Sequence, residues 1–180
     1  VVDSVRDEVV GLIPLGGKNP VDLQVTRDPS GNVRLWVALA GLFPGLLPQE
    51  LSGCVVEVDT VNRVVTRMVL DDDAVGGNIA ALAMASDRLG WVVVSGADFS
   101  SRVLAFDPAT GTVLRTVFEA ADLIPGLAVD GGGVLAIPDR RFVSPALCLY
   151  RVPADPVGGS ETSLGCGPLD LSPFSVAALD

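Results

Sequence analysis

Three times in this chain an aspartate closes a short apolar run, and a second apolar run begins six residues later: Asp3 and Val9, Asp59 and Val65, Asp107 and Val113. The segments read VVDSVRDEVVGLI, VEVDTVNRVVTRMV and AFDPATGTVLRTVF, each a strand, a polar turn and a strand. The aspartates stand 56 and 48 residues apart. Self-similarity at such a spacing marks a repeat architecture, in which each unit buries its apolar face only by stacking on a neighbour. Tryptophans give the alignment a second support. Trp36 and Trp91 lie five residues before Gly41 and Gly96, and Val134 holds the same place before Asp139.

Between these marks, Val-, Leu- and Ala-rich runs of four to eight residues are bounded by Gly, Pro and Asp. That pattern fits pleated strands better than helices. The strands recur in fours. Residues 21–26, 34–40, 53–59 and 63–70 form one unit, and residues 79–85, 90–95, 102–107 and 112–119 form the next. A third unit holds 127–130, 133–137, 146–152 and a fourth strand within 159–166. Residues 1–20 match only the third and fourth strands of a unit and the link after them, and 172–180 only a first strand. Four-stranded antiparallel repeats of this size are the pattern of propeller blades. The expected fold is therefore all-β: a partial β-propeller with three full blades, over 21–70, 79–119 and 124–166, and partial blades at both ends. An open arc of this kind would expose apolar surface and unpaired edges at its end blades. The chain begins at Val1 without an initiator methionine or a signal-like segment, and is expected to be processed or a piece of a longer protein.

Composition removes several kinds of chemistry. The net charge is −10, the single lysine is Lys18, and eleven arginines are scattered with no basic stripe, so a phosphate backbone would be repelled and nucleic acid is excluded as a partner. The absence of histidine removes Ser-His-Asp and Cys-His catalysis and imidazole metal sites. Every apolar run is interrupted well before the ~20 residues of a membrane-spanning helix. Cys54, Cys148 and Cys166 show no C-x-x-C spacing, so buried thiols are the default. The alternative is a disulfide: a hairpin turn at PVGG, 156–159, would set Cys148 and Cys166 facing each other across two strands.

The segments VVEVDTVNRVVTRMVL and VLAFDPATGTVLRTV resemble the hairpin of the YVTN-type, surface-layer-like seven-bladed propellers. The eponymous tetrapeptide is replaced by LWVA and WVVV, so NHL-like and gluconolactonase-like propellers stand as near alternatives. The resemblance implies an exported, extracytoplasmic protein that needs further propeller blades as partners. It also implies that ligands bind on the face carrying the loops between second and third strands and the links between blades.

On that face the longest loop is GLFPGLLPQELSG, residues 41–53, with Leu42, Phe43, Leu46 and Leu47 apolar and stiffened by prolines. It is either a contact site or lid, or a local core folded over its neighbour. The equivalent loops, 96–102 and 139–145, each place a phenylalanine beside charge. The ligand-face candidates are Lys18, Asn19, Phe43, Leu46, Asn78, Phe99, Arg140 and Arg141. Adjacent arginines suit an anion, or are simply solvated. The run Asp71, Asp72, Asp73 lacks the spacing of a dedicated calcium loop and reads as a solvated acidic turn. A metal set drawn from several blades would use Asp71 or Asp73 with Asn78, Asp98, Asp122 and Asp139, and would take a divalent cation such as calcium. No nucleophile elbow or phosphate loop is present. The leading expectation is a non-catalytic propeller that binds a protein or small molecule and needs no cofactor. A metal-dependent, lactonase-like hydrolase and a purely structural piece are the alternatives.

Overall fold

The computed structural model describes residues 1–28, 30–42, 50–141 and 143–178. A hairpin of β1 (Val2–Asp3) and β2 (Glu8–Val9) comes first, followed by β3 (Pro20–Arg27), β4 (Val33–Leu39), β5 (Cys54–Asp59) and β6 (Val64–Asp71). A single helical turn, α1 (Asp72–Val75), leads to β7 (Asn78–Met84), β8 (Gly90–Ser95), β9 (Ser101–Asp107) and β10 (Thr112–Ala120). The last set is β11 (Ala128–Val129), β12 (Val134–Asp139), β13 (Ala146–Arg151) and β14 (Thr162–Pro168). Each set of four is one antiparallel meander in sequence order. The fold is all-β, three four-stranded blades plus a two-stranded sheet.

The recurring aspartates are turn formers. Asp3 Oδ1 accepts from the amides of Val5 and Arg6, Asp59 Oδ1 from Val61 and Asn62, and Asp107 Oδ1 from Ala109. A carboxylate that takes the amides two and three residues on mimics a backbone turn. Four residues after each aspartate the chain turns left-handed, at Asp7 (φ 54°), Arg63 (φ 58°) and Gly111 (φ 72°). Only the third hairpin has the glycine that this conformation favours. The first two adopt it with Asp7 and Arg63 in that place.

The core lies between blades. Trp36, Ala38, Val55, Val69 and Leu70 of the first blade pack on Ile79, Leu82, Met84, Val92, Leu104 and Phe106 of the second. The opposite face of the second blade, with Trp91, Val93, Val103 and Ala105, packs on Leu135, Ile137 and Cys148 of the third. Each fully buried Val, Leu or Phe contributes about 1.5–3 kcal/mol. Alanines at 81, 83 and 105 allow the close approach.

Polar staples cross both junctions. Arg67, eight residues after Asp59, donates to the carbonyls of Pro108 (2.6 Å) and Ala109 (2.8 Å) in the next blade's hairpin. Arg115, eight residues after Asp107, does the same to Pro156 (3.4 Å) and forms a two-pronged ion pair with buried Glu161 (2.7 Å on each arm). Arg67 is held in turn by Glu57, which also pairs with Arg34.

Two expectations need correction. Residues 172–178 form no strand, since no described strand lies beside them to complete a ladder and a strand cannot stand without one. Phe174 is exposed and stacks under the Arg140 guanidinium, 5.2 Å from the ring centre. Cys148 and Cys166 are not thiols. They lie directly opposite in the β13–β14 ladder and form a disulfide, while Cys54 is free and buried. Among the described residues no helix is long and apolar enough to cross a membrane.

Candidate functional site

The loops between second and third strands meet the blade links on one face, as strand order requires. The contact is closest around the base of the 41–53 segment. The amides of Ala40 and Gly41 donate to the carbonyls of Asn19 (2.9 Å) and Lys18 (3.1 Å). Asn19 is left-handed (φ 57°), which turns the incoming link so that it lies along this base. Lys18 Nζ meets Glu50 Oε1 at 2.7 Å, and that hydrogen bond holds the Glu50 carboxyl below its ordinary value. Asn78, 1% exposed, donates through Nδ2 to the carbonyls of both Ala40 (2.8 Å) and Glu50 (2.9 Å). One amide side chain of the second blade thus fixes both ends of a first-blade loop.

Beneath this lies Asp72, fully buried. Its Oδ2 accepts from the Gly53 amide at 2.7 Å, and its own amide donates to the Gly53 carbonyl at 3.3 Å. Its Oδ1 has no hydrogen-bond partner. The acidic run is therefore not a solvated turn. Asp71 caps α1 by accepting from the Asp73 amide (2.9 Å), Gly76 closes it in the left-handed conformation, and Asp72 turns inward. Arg102 Nη2 satisfies the freed carbonyl of Val75 at 2.9 Å.

Burial pushes the Asp72 carboxyl up, and the neighbouring charge of Asp71 adds to this; the bonds from Gly53, Asp73 and Asn78 offset it only in part. A raised folded value means that the folded state holds the proton more tightly than the unfolded chain. The penalty is absent at low pH and grows as pH rises from the ordinary 3.8 through the folded value. Asp72→Asn is therefore expected to leave the melting temperature at pH 7 unchanged or raise it by a few degrees. Asp72→Ala should lower it, because the buried Gly53 amide then loses its side-chain acceptor, at a cost of about 1–3 kcal/mol. Thermal melts of both variants across pH 4–8 check this. A strong loss in the Asn variant would contradict it.

The other candidates are dispersed. Asp98 Oδ1 takes the Ser100 amide (3.1 Å) and hydroxyl (2.7 Å), which lower its carboxyl. Asp122 accepts from the Leu123 amide at 2.7 Å. Asp139, 1% exposed, is paired with Arg141 at 2.7 Å. Asp71 and Asp73 are taken up by the start of α1. Among the described residues no three acidic or thiol side chains are grouped to hold a metal ion. Arg140 and Arg141 do not act as a pair: Arg141 is bound to Asp139, and Arg140 lies over Phe174. Phe99 is half exposed at a left-handed turn (φ 66°). Phe43 and Leu46 lie outside the described residues, while Leu42 beside them is exposed.

The residues that organise this face are Lys18, Asn19 and Asn78, which the sequence pointed to as ligand-face candidates, Asp72, which it placed only in a solvated acidic turn, and Glu50, Gly53 and Arg102, which it did not single out. An Asp cap and a Gly stop around four residues are a helix signature, so α1 was visible in DDDAVGG. The pairing of Lys18 with Glu50 had no local signal.

No protein-family model and no curated protein matches the sequence. Among solved structures, the chain is similar to hydrazine synthase of Kuenenia stuttgartiensis, with a TM-score of 0.65 and 14% identity. The match covers 93% of this chain and 42% of that one, so the chain spans less than half the length of this structural relative. At that identity the likeness shows a propeller-like fold and nothing of the activity.

Proposed function

We propose that this chain is a non-catalytic binding segment of a YVTN-type β-propeller, displayed outside the cytoplasm, whose contact site is the 41–53 segment. The observation that carries the reading is the fixed base of that segment. Asn78 in β7, Asp72 in α1 and Lys18 in the link before β3 tie down both of its ends. Fixing the two ends of an apolar segment lowers the ordering cost that binding through it would carry. The partner is a protein or small molecule. The Cys148–Cys166 disulfide agrees with an oxidising compartment.

The hydrolase alternative needs a bound divalent cation, and the dispersed aspartates argue against it. The two readings part in a melting experiment. With calcium at about a hundredfold above its dissociation constant, a genuine site would stabilise by about 2.7 kcal/mol, or about 5–10 °C for a chain of this size. We expect melts in EDTA and in 5 mM calcium to agree within about 1 °C. A calcium-dependent rise of several degrees would favour the hydrolase.

A further inference from the structure

The β1–β2 hairpin occupies the place of the third and fourth strands of a blade that precedes the first full one. Asp3 corresponds to Asp59, and Ile13, ten residues after Asp3, corresponds to Val69. Val69 is part of the packed junction with the second blade, and Ile13 packs in the same way on Val37, Leu39, Val56 and Val58 of the first. What lies beside this half blade differs. At the second blade, the apolar inner surface is covered by β3 and β4, through Trp36 and Ala38, and Asp22 Oδ2 accepts from the Leu82 amide at 2.9 Å. At the first blade no described strand covers the equivalent surface.

Register makes the comparison direct. Leu23 pairs with Val37 as Leu82 pairs with Val92, and Val25 pairs with Leu35 as Met84 pairs with Gly90. Leu82 is 0% exposed and Met84 7%, yet Leu23 is 55% exposed and Val25 57%. The surface forms an apolar groove of about 710 Å³, with Leu23, Leu35 and Val37 as its floor and Leu12 and Ile13 as its wall. Along its side runs β1, which among the described residues pairs with β2 alone, whereas its counterparts β5 and β9 each pair on both edges.

We infer that this groove is the docking site for a two-stranded antiparallel β-hairpin of propeller type, which completes the half blade. Its second strand adds to the free edge of β1 by backbone hydrogen bonds, and its first covers Leu23 and Val25, the mode known as strand addition. Two occurrences inside the chain define the occupant: β3–β4 covers this surface on the second blade and β7–β8 covers it on the third. The inference rests on the repeat and not on the binding role of the 41–53 segment, so either can fail without the other.

The test uses residues 20–39 of this chain as the hairpin, fused by a flexible linker ahead of Val1. Hydrogen exchange at residues 1–10 and 21–25 is expected to slow at least tenfold relative to the unfused chain, and relative to a fusion carrying the same residues in scrambled order. Leu23→Asp in the original copy should abolish that protection while leaving the melting temperature of the unfused chain nearly unchanged, since Leu23 is already half in water. The same peptide added in trans to the unmodified chain should protect the same amides, which keeps the test valid if the fusion misfolds. Equal exchange with native and scrambled hairpins, together with no protection from the peptide in trans, would overturn the inference. So would a concentration-dependent dimer of the unfused chain that Leu23→Asp dissolves, because the groove would then belong to a second copy.

Discussion

Trp91→Ala should destabilise the protein by about 3–5 kcal/mol, lowering the melting temperature by roughly 6–20 °C for a chain of this size. Trp91 is fully buried where the second blade meets the third. Its indole donates to Glu161 Oε1 at 2.8 Å, and Glu161 also receives Arg115 from the outer strand of the second blade. Removing the ring leaves a large cavity and takes a donor from a buried carboxylate. Trp91→Phe keeps most of the apolar area but loses the N–H and part of the ring volume, and should cost less than the alanine change.

The same carboxylate sets a pH dependence at this junction. Burial pushes the Glu161 carboxyl up, but the bonds from Arg115, the backbone and Trp91 together outweigh it and hold the group below its ordinary 4.5. A depressed folded value gives stability that is complete above the ordinary value and lost as pH falls through the folded one. In the Trp91 variants that holding is weaker, so their melting curves should begin to fall at a higher pH than the parent's. An unchanged acid limb would show that Arg115 alone suffices.

Gly53→Ala is the second large effect, about 3 kcal/mol, the upper end for overpacking, because overpacking against backbone has no cheap relief. A Cβ at this position would run into the Leu39 carbonyl and come within 2.8 Å of both the Ala40 carbonyl carbon and Asp72 Oδ2. Neither backbone can retreat, since β4 is the second strand of its blade and Ala40 is held by Asn78. The change should loosen the base of the 41–53 segment as well as lower stability, and hydrogen exchange at Gly53 and Ala40 reads the former. Gly126→Ala, where a Cβ meets nothing within 4 Å, is the matched control and should fall within about 0.5 kcal/mol of the parent. Similar losses at the two positions would mean that the junction is more plastic than its geometry.

The strand pattern was legible because period-2 alternation and Asp-led turns are local properties. All ten complete strands of the first two blades and the central two of the third lie within two residues of their expected limits. The turn-forming role of Asp59 and Asp107 was equally local, and so was the facing of Cys148 and Cys166 once the hairpin between them was assumed. The candidate site was less legible. Asp71, Asp72 and Asp73 are chemically identical in the sequence, yet one caps a helix, one is buried and one follows the cap, a division made by the direction of the chain over β6. The 173–179 run has the apolar alternation of a strand, but alternation states a preference and a ladder needs a partner.

By itself, then, the sequence determined a chain of four-stranded units, the turns that close them and the exclusion of histidine-based chemistry, because each depends on residues a few positions apart. Only the tertiary structure decided that Asn78 clasps both ends of a loop thirty-eight and twenty-eight residues earlier, that Glu161 answers Arg115 forty-six residues away, and that Leu23 stands in water while its equivalent Leu82 is sealed. Those facts depend on which blade stacks on which, and stacking follows from the shape of whole faces, which no short stretch of residues contains.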